Sequence, residues 1–481
     1  MQHTKQFSNY YPKPSRYAHS NKTRILYSLP NPTNNSSLPS SLLKAVYISS
    51  SSSTYPYPSK EAKYMHMGIL PCAPPPSHSR EELDDRSCFD HLRSESSSSS
   101  LFSHASLPSL GSLSLSDQPS TTYYHCVTTL KGHSSYVFSL VLDGENLYSG
   151  SYDDEVRLWS ETGIGYGNEV VDNVVATGDG AVKSLVVLGD KLFVAHQDCR
   201  IRVWKIDGES EMHSHQKKYQ CVATLPTLND RFVKLFSAKN YVQVRRHKRC
   251  TWVHHVDSVS ALAPSKDGTL LYSASWDRTF KVWRTSDFRC LESVTKAHDD
   301  AINALVVSAH GYVYTGSADK NIKVWRKHEG QKKHSLVATL EKHKSAVNAL
   351  ALSSDGQVLY SGACDRSILV WERDPKSENG HMRLVGALRG HTKAILCLTV
   401  VSDLLLSGSA DNTVRIWKKG ANKSYACIAV LEGHTRPIKC LTAAIESNSD
   451  EDGFVSGTSC LVYSGSLDHD IRVWKVWVPY F

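Results

Sequence analysis

One short phrase occurs seven times along the chain. Its first copy, Ser-Gly-Ser-Tyr-Asp-Asp-Glu-Val-Arg-Leu-Trp, ends at Trp159. The tryptophans that end the seven copies are Trp159, Trp204, Trp283, Trp325, Trp371, Trp417 and Trp474, at spacings of 45, 79, 42, 46, 46 and 57 residues. A regular period of this length indicates one small structural unit repeated along the chain, because a single unit cannot bury its own apolar face and must pack against its neighbours. The two longest spacings predict insertions.

Polar residues recur at fixed distances from these tryptophans. An Asp lies six residues before every one of them, and a Ser or Thr lies ten residues before six of them. In the same six copies, a His stands four residues before the first apolar residue of a predicted strand. The second copy has Gly178 in place of the His and Val194 in place of the Ser or Thr. We therefore expect the second unit to be degenerate.

This pattern resembles the WD40 family across about 350 residues. The resemblance implies that the His, Ser or Thr, Asp and Trp of each unit form a hydrogen-bonded structural tetrad. The six complete tetrads are His133, Ser149, Asp153 and Trp159; His255, Ser273, Asp277 and Trp283; His298, Thr315, Asp319 and Trp325; His343, Ser361, Asp365 and Trp371; His391, Ser407, Asp411 and Trp417; and His434, Ser464, Asp468 and Trp474. A hydrolase triad uses the same residue types, but catalysis needs one activated set and not one set per repeat.

Apolar and polar residues alternate before the tryptophans, as in Val-Arg-Leu-Trp and Ile-Lys-Val-Trp, and a period of two is typical of β-strands. With the resemblance, this predicts an all-β fold, a seven-bladed WD40 β-propeller over residues 121–481. Family geometry implies that Cys126 to Leu130 complete the last blade, which closes the ring and leaves no long exposed sheet edge. We predict an insertion at 226–252 between repeats 2 and 3, and an acidic loop at 446–453 in repeat 7.

Residues 1–120 have a different composition, with Ser runs at 49–53 and 96–100 and three prolines at 74–76. Such a segment buries too little apolar surface to offset the entropy of ordering its backbone, which predicts a disordered Ser/Pro-rich tail. The first 60 residues contain seven Lys or Arg and no acid. That bias is typical of organelle transit peptides but also of regulatory tails, so both interpretations remain open.

The rest of the composition is that of a cytoplasmic and nuclear protein. The net charge of +8 is dispersed, the 12 Cys show no paired spacing, and no apolar run approaches the roughly 18 residues of a membrane helix. No phosphate-binding loop or metal-ligand spacing is present. We therefore predict a protein that is not an enzyme and needs no cofactor or metal.

Family geometry implies a partner-binding face around the channel at one end of the propeller. The side chains expected there include Tyr136, Phe138, Tyr152, Lys183, Trp276, Asn303, Asn348, Leu396 and Lys439. Exposed aromatic residues beside cations are typical of protein-binding hot spots. The alternative is that Tyr136 and Phe138 only pack against strand edges.

A basic cluster, Arg245, Arg246, Lys248 and Arg249, lies within the predicted insertion. Four charges in five residues are too dense for a buried strand, because each charge would need its own partner. The cluster suits a nuclear-import signal, or it pairs with nearby acids on the propeller's side. Nucleic-acid contact is less favoured, because affinity depends on neutralising many phosphates.

The repeats, including residues 229–232 and 244–250, resemble a plant WD40 group, the JINGUBANG-like proteins, whose propeller is similar to that of myosin heavy chain kinase B. No kinase domain accompanies it here. The resemblance implies a non-enzymatic scaffold or adaptor that binds regulatory proteins, for instance transcription factors in plant growth or pollen development. The alternative is a substrate receptor of a ubiquitin ligase, less favoured because no repeat Trp is followed by Asp. We expect protein partners, no small-molecule substrate and no membrane contact.

Overall fold

The computed structural model of the chain describes residues 122–160, 173–207, 218–235, 241–245, 248–374, 381–420, 424–446 and 457–479. The predicted disordered tail and, except for Glu446, the predicted acidic loop at 446–453 therefore lie outside the described residues. Within them, the chain forms seven four-stranded antiparallel sheets, one separate two-stranded sheet and one helix.

Each four-stranded sheet is one blade, and its first strand lies innermost. Blade 1 comprises β2 (Val137–Asp143), β3 (Asn146–Ser151), β4 (Glu155–Trp159) and β5 (Val174–Thr177); blade 2 comprises β6 (Val182–Leu188), β7 (Lys191–His196), β8 (Ile201–Asp207) and β9 (Lys218–Leu225); and blade 3 comprises β12 (Val259–Pro264), β13 (Leu270–Ser275), β14 (Phe280–Arg284) and β15 (Cys290–Val294).

The remaining blades repeat this order. Blade 4 comprises β16 (Ile302–Val307), β17 (Tyr312–Ser317), β18 (Ile322–Arg326) and β19 (Ser335–Leu340); blade 5 comprises β20 (Val347–Leu352), β21 (Val358–Ala363), β22 (Ile368–Arg373) and β23 (Met382–Leu388); blade 6 comprises β24 (Ile395–Val401), β25 (Leu404–Ser409), β26 (Val414–Lys419) and β27 (Tyr425–Leu431); and blade 7 comprises β28 (Ile438–Ile445), β29 (Gly457–Ser466), β30 (Ile471–Pro479) and β1 (Tyr123–Leu130).

The ring closes because the first strand of the chain joins the last blade. Strand β1 pairs with β30, with Cys126 opposite Trp474 and Leu130 opposite Ile471. Each inner strand contacts the inner strand of the next blade, and β28 contacts β2. The structure thus confirms the predicted all-β, seven-bladed propeller and its mode of closure.

The blades pack through apolar faces that strand alternation aims at the neighbouring sheet. Strand β21 is buried along its whole length, because its two faces meet adjacent blades. Its Gly362 makes this packing possible, since a Cβ there would lie 2.4 Å from Ile395 of the next blade. Glycine is therefore required by close approach of the blades at this position.

The region of the predicted 226–252 insertion contains a helix and a hairpin. Helix α1 (Leu228–Leu235) follows blade 2, and β10 (Tyr241–Arg245) pairs with β11 (Lys248–Thr251) outside the seven blades. The buried Asp230 accepts a hydrogen bond from the Cys290 amide at 2.9 Å, which fixes the helix to blade 3. The described part of the chain contains no helix long and apolar enough to cross a membrane.

Candidate protein-binding face

The tetrad residues of six blades are hydrogen bonded in the same way. The His Nδ1 lies 2.8 to 3.0 Å from the Asp carboxylate, and the His Nε2 lies 2.7 to 2.9 Å from the Ser or Thr hydroxyl. The Trp indole N–H donates to that hydroxyl at 2.8 to 2.9 Å. Each group can thus donate to the next, from Trp through hydroxyl and imidazole to a carboxylate that accepts.

The tetrad carboxylates stay ionised in partly buried sites. Burial alone would raise the pKa of Asp468, but the hydrogen bond and charge of His434, with the Thr435 and Asp470 amides, hold it at about 2. The same competition lowers the pKa of Asp277, Asp365 and Asp411. Because the carboxylates also accept backbone amides of their own turns, the tetrads fix the loops that form one end of the propeller, called here the turn face.

Blade 2 replaces the missing tetrad with different residues. The Arg202 guanidinium donates to Asp198 at 2.8 Å and to Asp179 at 2.7 Å, so a permanent cation takes the place of the His. The His196 ring fills the space beside Gly178, where a Cβ would lie 2.1 Å away. Among the described residues, the buried Trp204 indole N–H has no hydrogen-bond partner. The blade is degenerate in sequence but keeps an anchored Asp turn.

The polar side chains of the first tetrad are already engaged in hydrogen bonds, which leaves them little capacity to bind a metal or act as a nucleophile. His133, Asp153 and Glu155 have ligand atoms within 4.8 Å of one another, as a metal site would need. However, both His133 nitrogens are engaged by Asp153 and Ser149, and Glu155 pairs with Arg157 at 2.7 Å. The Ser149 hydroxyl is buried and bonded to Trp159. This arrangement locks a turn and leaves no exposed nucleophile.

A β-bulge in each innermost strand shapes the channel wall. Pairing with the second strand shifts between the first and third residues of each inner strand, as between Val137 and Ser139. The extra residue lies near the turn face, and the bulge changes the direction in which its side chain points. We call the site of this residue the bulge position. The seven bulge residues are Phe138, Lys183, Ser260, Asn303, Asn348, Leu396 and Lys439.

Side chains on this wall bond each blade to the next. In blades 3, 4 and 5 the bulge residues Ser260, Asn303 and Asn348 donate to the first inner-strand carbonyl of the following blade. In the other four blades the residue after the bulge takes this role: Ser139 and Ser184 accept a backbone amide of the next blade, and the Cys397 and Cys440 thiols donate to a carbonyl. The side chains at the bulge positions of blades 6, 7, 1 and 2 are thereby released from inter-blade hydrogen bonding.

These four released side chains, Phe138, Lys183, Leu396 and Lys439, form what we call the channel mouth. They line one connected cavity of about 230 Å³. The two hydrophobic and two cationic residues occupy adjacent blades, so one half of the wall differs chemically from the half that carries Ser260, Asn303 and Asn348. The Nδ2 groups of Asn303 and Asn348 are engaged within the wall, and their buried Oδ1 atoms have no hydrogen-bond partner among the described residues. These two predicted face residues therefore serve mainly to bond one blade to the next.

An aromatic cluster surrounds Lys183. Its ammonium lies 4.0 Å from the Phe138 ring centre, 5.8 Å from that of Tyr152 and 5.7 Å from that of Trp276. Tyr136 packs against Phe138 and Tyr152, with ring centres 6.4 and 6.0 Å away. The structure thus brings five predicted face residues from three blades into contact, at distances that allow cation–π attraction.

Keeping the two lysines of the channel mouth in their charged form costs free energy. Burial, together with the nearby charge of Lys439, lowers the pKa of Lys183 to about 7. Burial also lowers the pKa of Lys439. Within the described ranges, no carboxylate forms an ion pair with either ammonium.

Loops of the turn face add charges that the sequence reasoning missed. Lys344, Lys393 and Arg436 are exposed in the His loops of blades 5, 6 and 7, whereas Asp257, Asp299 and Asp300 occupy the corresponding loops of blades 3 and 4. A signal was present in the sequence, because each of these residues follows a tetrad His by one or two positions. The His loops are therefore basic in blades 5 to 7 and acidic in blades 3 and 4, although the Asp turns of blades 3 and 4 also carry the exposed Arg278 and Lys320.

The basic cluster of the insertion lies at a hairpin tip. Arg245 ends β10, and Lys248 and Arg249 begin β11, while Arg246 lies outside the described residues. Arg245 pairs in register with Lys248. The hairpin forms a two-stranded sheet of its own, separate from the inner strands that carry the channel mouth.

Comparisons with known proteins agree with this architecture. A family model described as "WD domain, G-beta repeat" matches residues 124–160, 247–284, 289–326, 334–372, 382–418 and 425–475, and leaves the degenerate second blade unmatched. The WD40 β-propeller domain of Doa1 superposes with a TM-score of 0.51 at 22% identity, covering 73% of this chain and 96% of that one.

The relatives found by sequence share low identity with this chain and match only part of it. An uncharacterized WD repeat-containing protein of Schizosaccharomyces pombe is 24% identical over 220 residues, 41% of this chain and 58% of that protein. Ribosome biogenesis protein YTM1 of Phaeosphaeria nodorum is 26% identical over 254 residues, 43% of this chain and 52% of its own length. The chain thus spans about half the length of these relatives. Six matched repeats, six intact tetrads and seven closed blades make this chain a WD40 repeat protein with a β-propeller fold.

Proposed function

We propose that this chain is a non-enzymatic scaffold or adaptor that binds regulatory proteins through the turn face. WD40 repeat proteins in general act as scaffolds or adaptors, and their propeller is typically non-catalytic. The finer proposal is a role like that of the JINGUBANG-like plant proteins, with partners such as transcription factors, in the cytoplasm and nucleus.

The aromatic cluster carries this proposal. Tyr136, Tyr152 and Trp276 are half-buried at the channel mouth, so each retains surface that a partner can cover. Tyr and Trp are enriched where binding energy concentrates, because large rigid rings bury much area at low entropic cost. The cluster is confined to blades 1 to 3, although the fold repeats seven times. A purely structural aromatic would be expected to recur with the repeat, as the tetrad Trp does.

Partner capture by a double variant tests the proposal. Tyr152→Ala with Trp276→Ala should remove regulatory partners from affinity purifications of the full chain, while the circular dichroism spectrum stays unchanged. Leu291→Ala with Leu336→Ala is a matched control, because these apolar residues are 42% and 48% exposed on outer strands. A folded Tyr152/Trp276 variant that keeps every partner would contradict the proposal.

A further inference from the structure

The half of the channel wall formed by blades 6, 7, 1 and 2 has an excess of positive charge. Lys183 and Lys439 both lie at bulge positions of this half and are close enough for their charges to interact. Phe138, Tyr152 and Trp276 lie within cation–π distance of Lys183, and Leu396 and thiols line the rest of this half, but none of these groups forms an ion pair with an ammonium. Two like charges in a partly buried, weakly polar site oppose folding unless a counter-charge arrives.

The fold does not require lysine at either position. The inter-blade hydrogen bonds of blades 2 and 7 are made by Ser184 and Cys440, the residues after the lysines. Leu396 fills the same position in blade 6 without any charge. The inter-blade hydrogen bonds therefore do not depend on the lysines, and the cost of placing two like charges here indicates a use outside the isolated propeller.

We propose, building on the proposed function, that the channel mouth binds a carboxylate side chain from an acidic segment of a partner protein. The Lys183 and Lys439 ammonium groups hold the carboxylate as charge-assisted hydrogen-bond donors. Phe138 and Leu396 cover the methylene stem. The cavity is ringed by the inner strands of all seven blades, so the side chain enters it from the turn face and the rest of the segment lies across that face.

The charges of the turn face set the direction of that segment. Exposed Lys393 and Arg436 flank the mouth on blades 6 and 7, where further acidic residues of the segment would lie. On blades 3 and 4, Asp257, Asp299 and Asp300 share the face with the exposed Arg278 and Lys320 of the Asp turns, so that side carries less net positive charge than blades 6 and 7. Complementary charge of this kind steers association and selects orientation.

Fluorescence anisotropy with a defined peptide tests the proposal on the full chain. The probe is a fluorescein-labelled peptide of four Glu-Ser-Gly repeats, and its partner probe has Gln in place of Glu. The parent should bind the Glu peptide at least about tenfold more tightly than the Gln peptide. Lys183→Met with Lys439→Met should abolish that preference, while Lys266→Met, an exposed lysine on the loop between β12 and β13, should retain it.

Three results would overturn the carboxylate assignment: equal binding of Glu and Gln peptides by the parent, an unchanged preference in the Lys183/Lys439 variant, or binding only when phosphoserine replaces Glu in the probe. Thermal melting of each variant shows whether it is folded, and retained or raised melting temperature is expected because a buried like-charge pair is removed. If the Glu peptide fails to bind while the Tyr152/Trp276 variant still loses its partners, the protein-binding face stands and only its carboxylate specificity is refuted.

Discussion

The tetrad account predicts opposite outcomes for the same substitution in two blades. Trp325→Phe removes an indole N–H that donates to Thr315 at 2.9 Å, in a side chain that is 7% exposed and packs on Phe280. Trp204→Phe removes an indole N–H that is buried and unpaired among the described residues. Both changes replace an indole with a phenyl ring, so the change in side-chain chemistry is matched.

The magnitudes follow from hydrogen bonding. Loss of a typical hydrogen bond costs about 0.5–1.5 kcal/mol of unfolding free energy, whereas an unsatisfied buried donor costs about 1–3 kcal/mol and is relieved by its removal. The smaller ring also leaves a cavity, and this cost is larger at the more buried Trp325. We therefore expect Trp325→Phe to be less stable than Trp204→Phe by about 2 to 4 kcal/mol.

Urea unfolding followed by circular dichroism measures this difference, provided that both variants unfold with the parental denaturant slope. Thr315→Val is a further control, because it removes the acceptor and should make the Trp325→Phe change less costly. Equal destabilisation by Trp325→Phe and Trp204→Phe would refute the assignment of the tetrad hydrogen bonds as stabilising.

Three further predictions concern charge. Because the pKa of Asp468 is depressed to about 2, its stabilising effect is present above the unfolded value of about 4 and is lost as the pH falls toward 2, so Asp468→Asn should flatten the acid-unfolding curve measured by circular dichroism. The pKa of Lys183 is lowered to about 7, so its penalty is full below pH 7 and fades as the pH rises toward 10; Lys183→Met should raise the melting temperature at pH 7, and a lower value would contradict this. Replacement of Arg245, Arg246, Lys248 and Arg249 by Gln should reduce the nuclear fraction of a fluorescent fusion of this 53.5 kDa chain, and an unchanged fraction would exclude the cluster as the import signal.

The fold follows from the sequence because its signals repeat. Seven Trp and seven Asp residues at constant separation mark the third strand and the turn before it, and closure requires only that Cys126 to Leu130 pair with the strand that contains Trp474. The signals are weakest in blade 2, where two of four tetrad residues are replaced. Repetition supplies independent evidence for each strand, which a unique segment lacks.

The substitutes in blade 2 were beyond sequence reasoning. His196 stands where other blades have Ser151 or Ser275 and donates to the Gly180 carbonyl, as those serines do to the equivalent carbonyls. Arg202 occupies a strand position that carries Arg or Lys in every other blade except blade 5, which has Leu369 there, so its residue type does not single it out. These roles become visible only in the structure, where the His196 ring occupies the space in which a side chain at Gly178 would lie.

The sequence alone also does not show which of the predicted face residues are available to a partner. Tyr136, Phe138, Tyr152, Lys183 and Trp276 meet because the bulge and the Asp turns of three blades converge, as family geometry implies. Whether a bulge residue faces a partner or bonds the next blade depends on the residue that follows it. A Ser or Cys after the bulge provides the inter-blade bond, whereas the Ala after Asn303 or Asn348 cannot.

Site-specific photocrosslinking tests the central claim, that partners bind the turn face, most directly. A benzoylphenylalanine placed at Tyr136, beside the aromatic cluster, should crosslink to partner proteins in cells on illumination. The same photoreactive residue at Lys266, exposed on the loop between β12 and β13, should give few or no crosslinks to those proteins. Crosslinking of the same partners at Lys266 and not at Tyr136 would contradict the account.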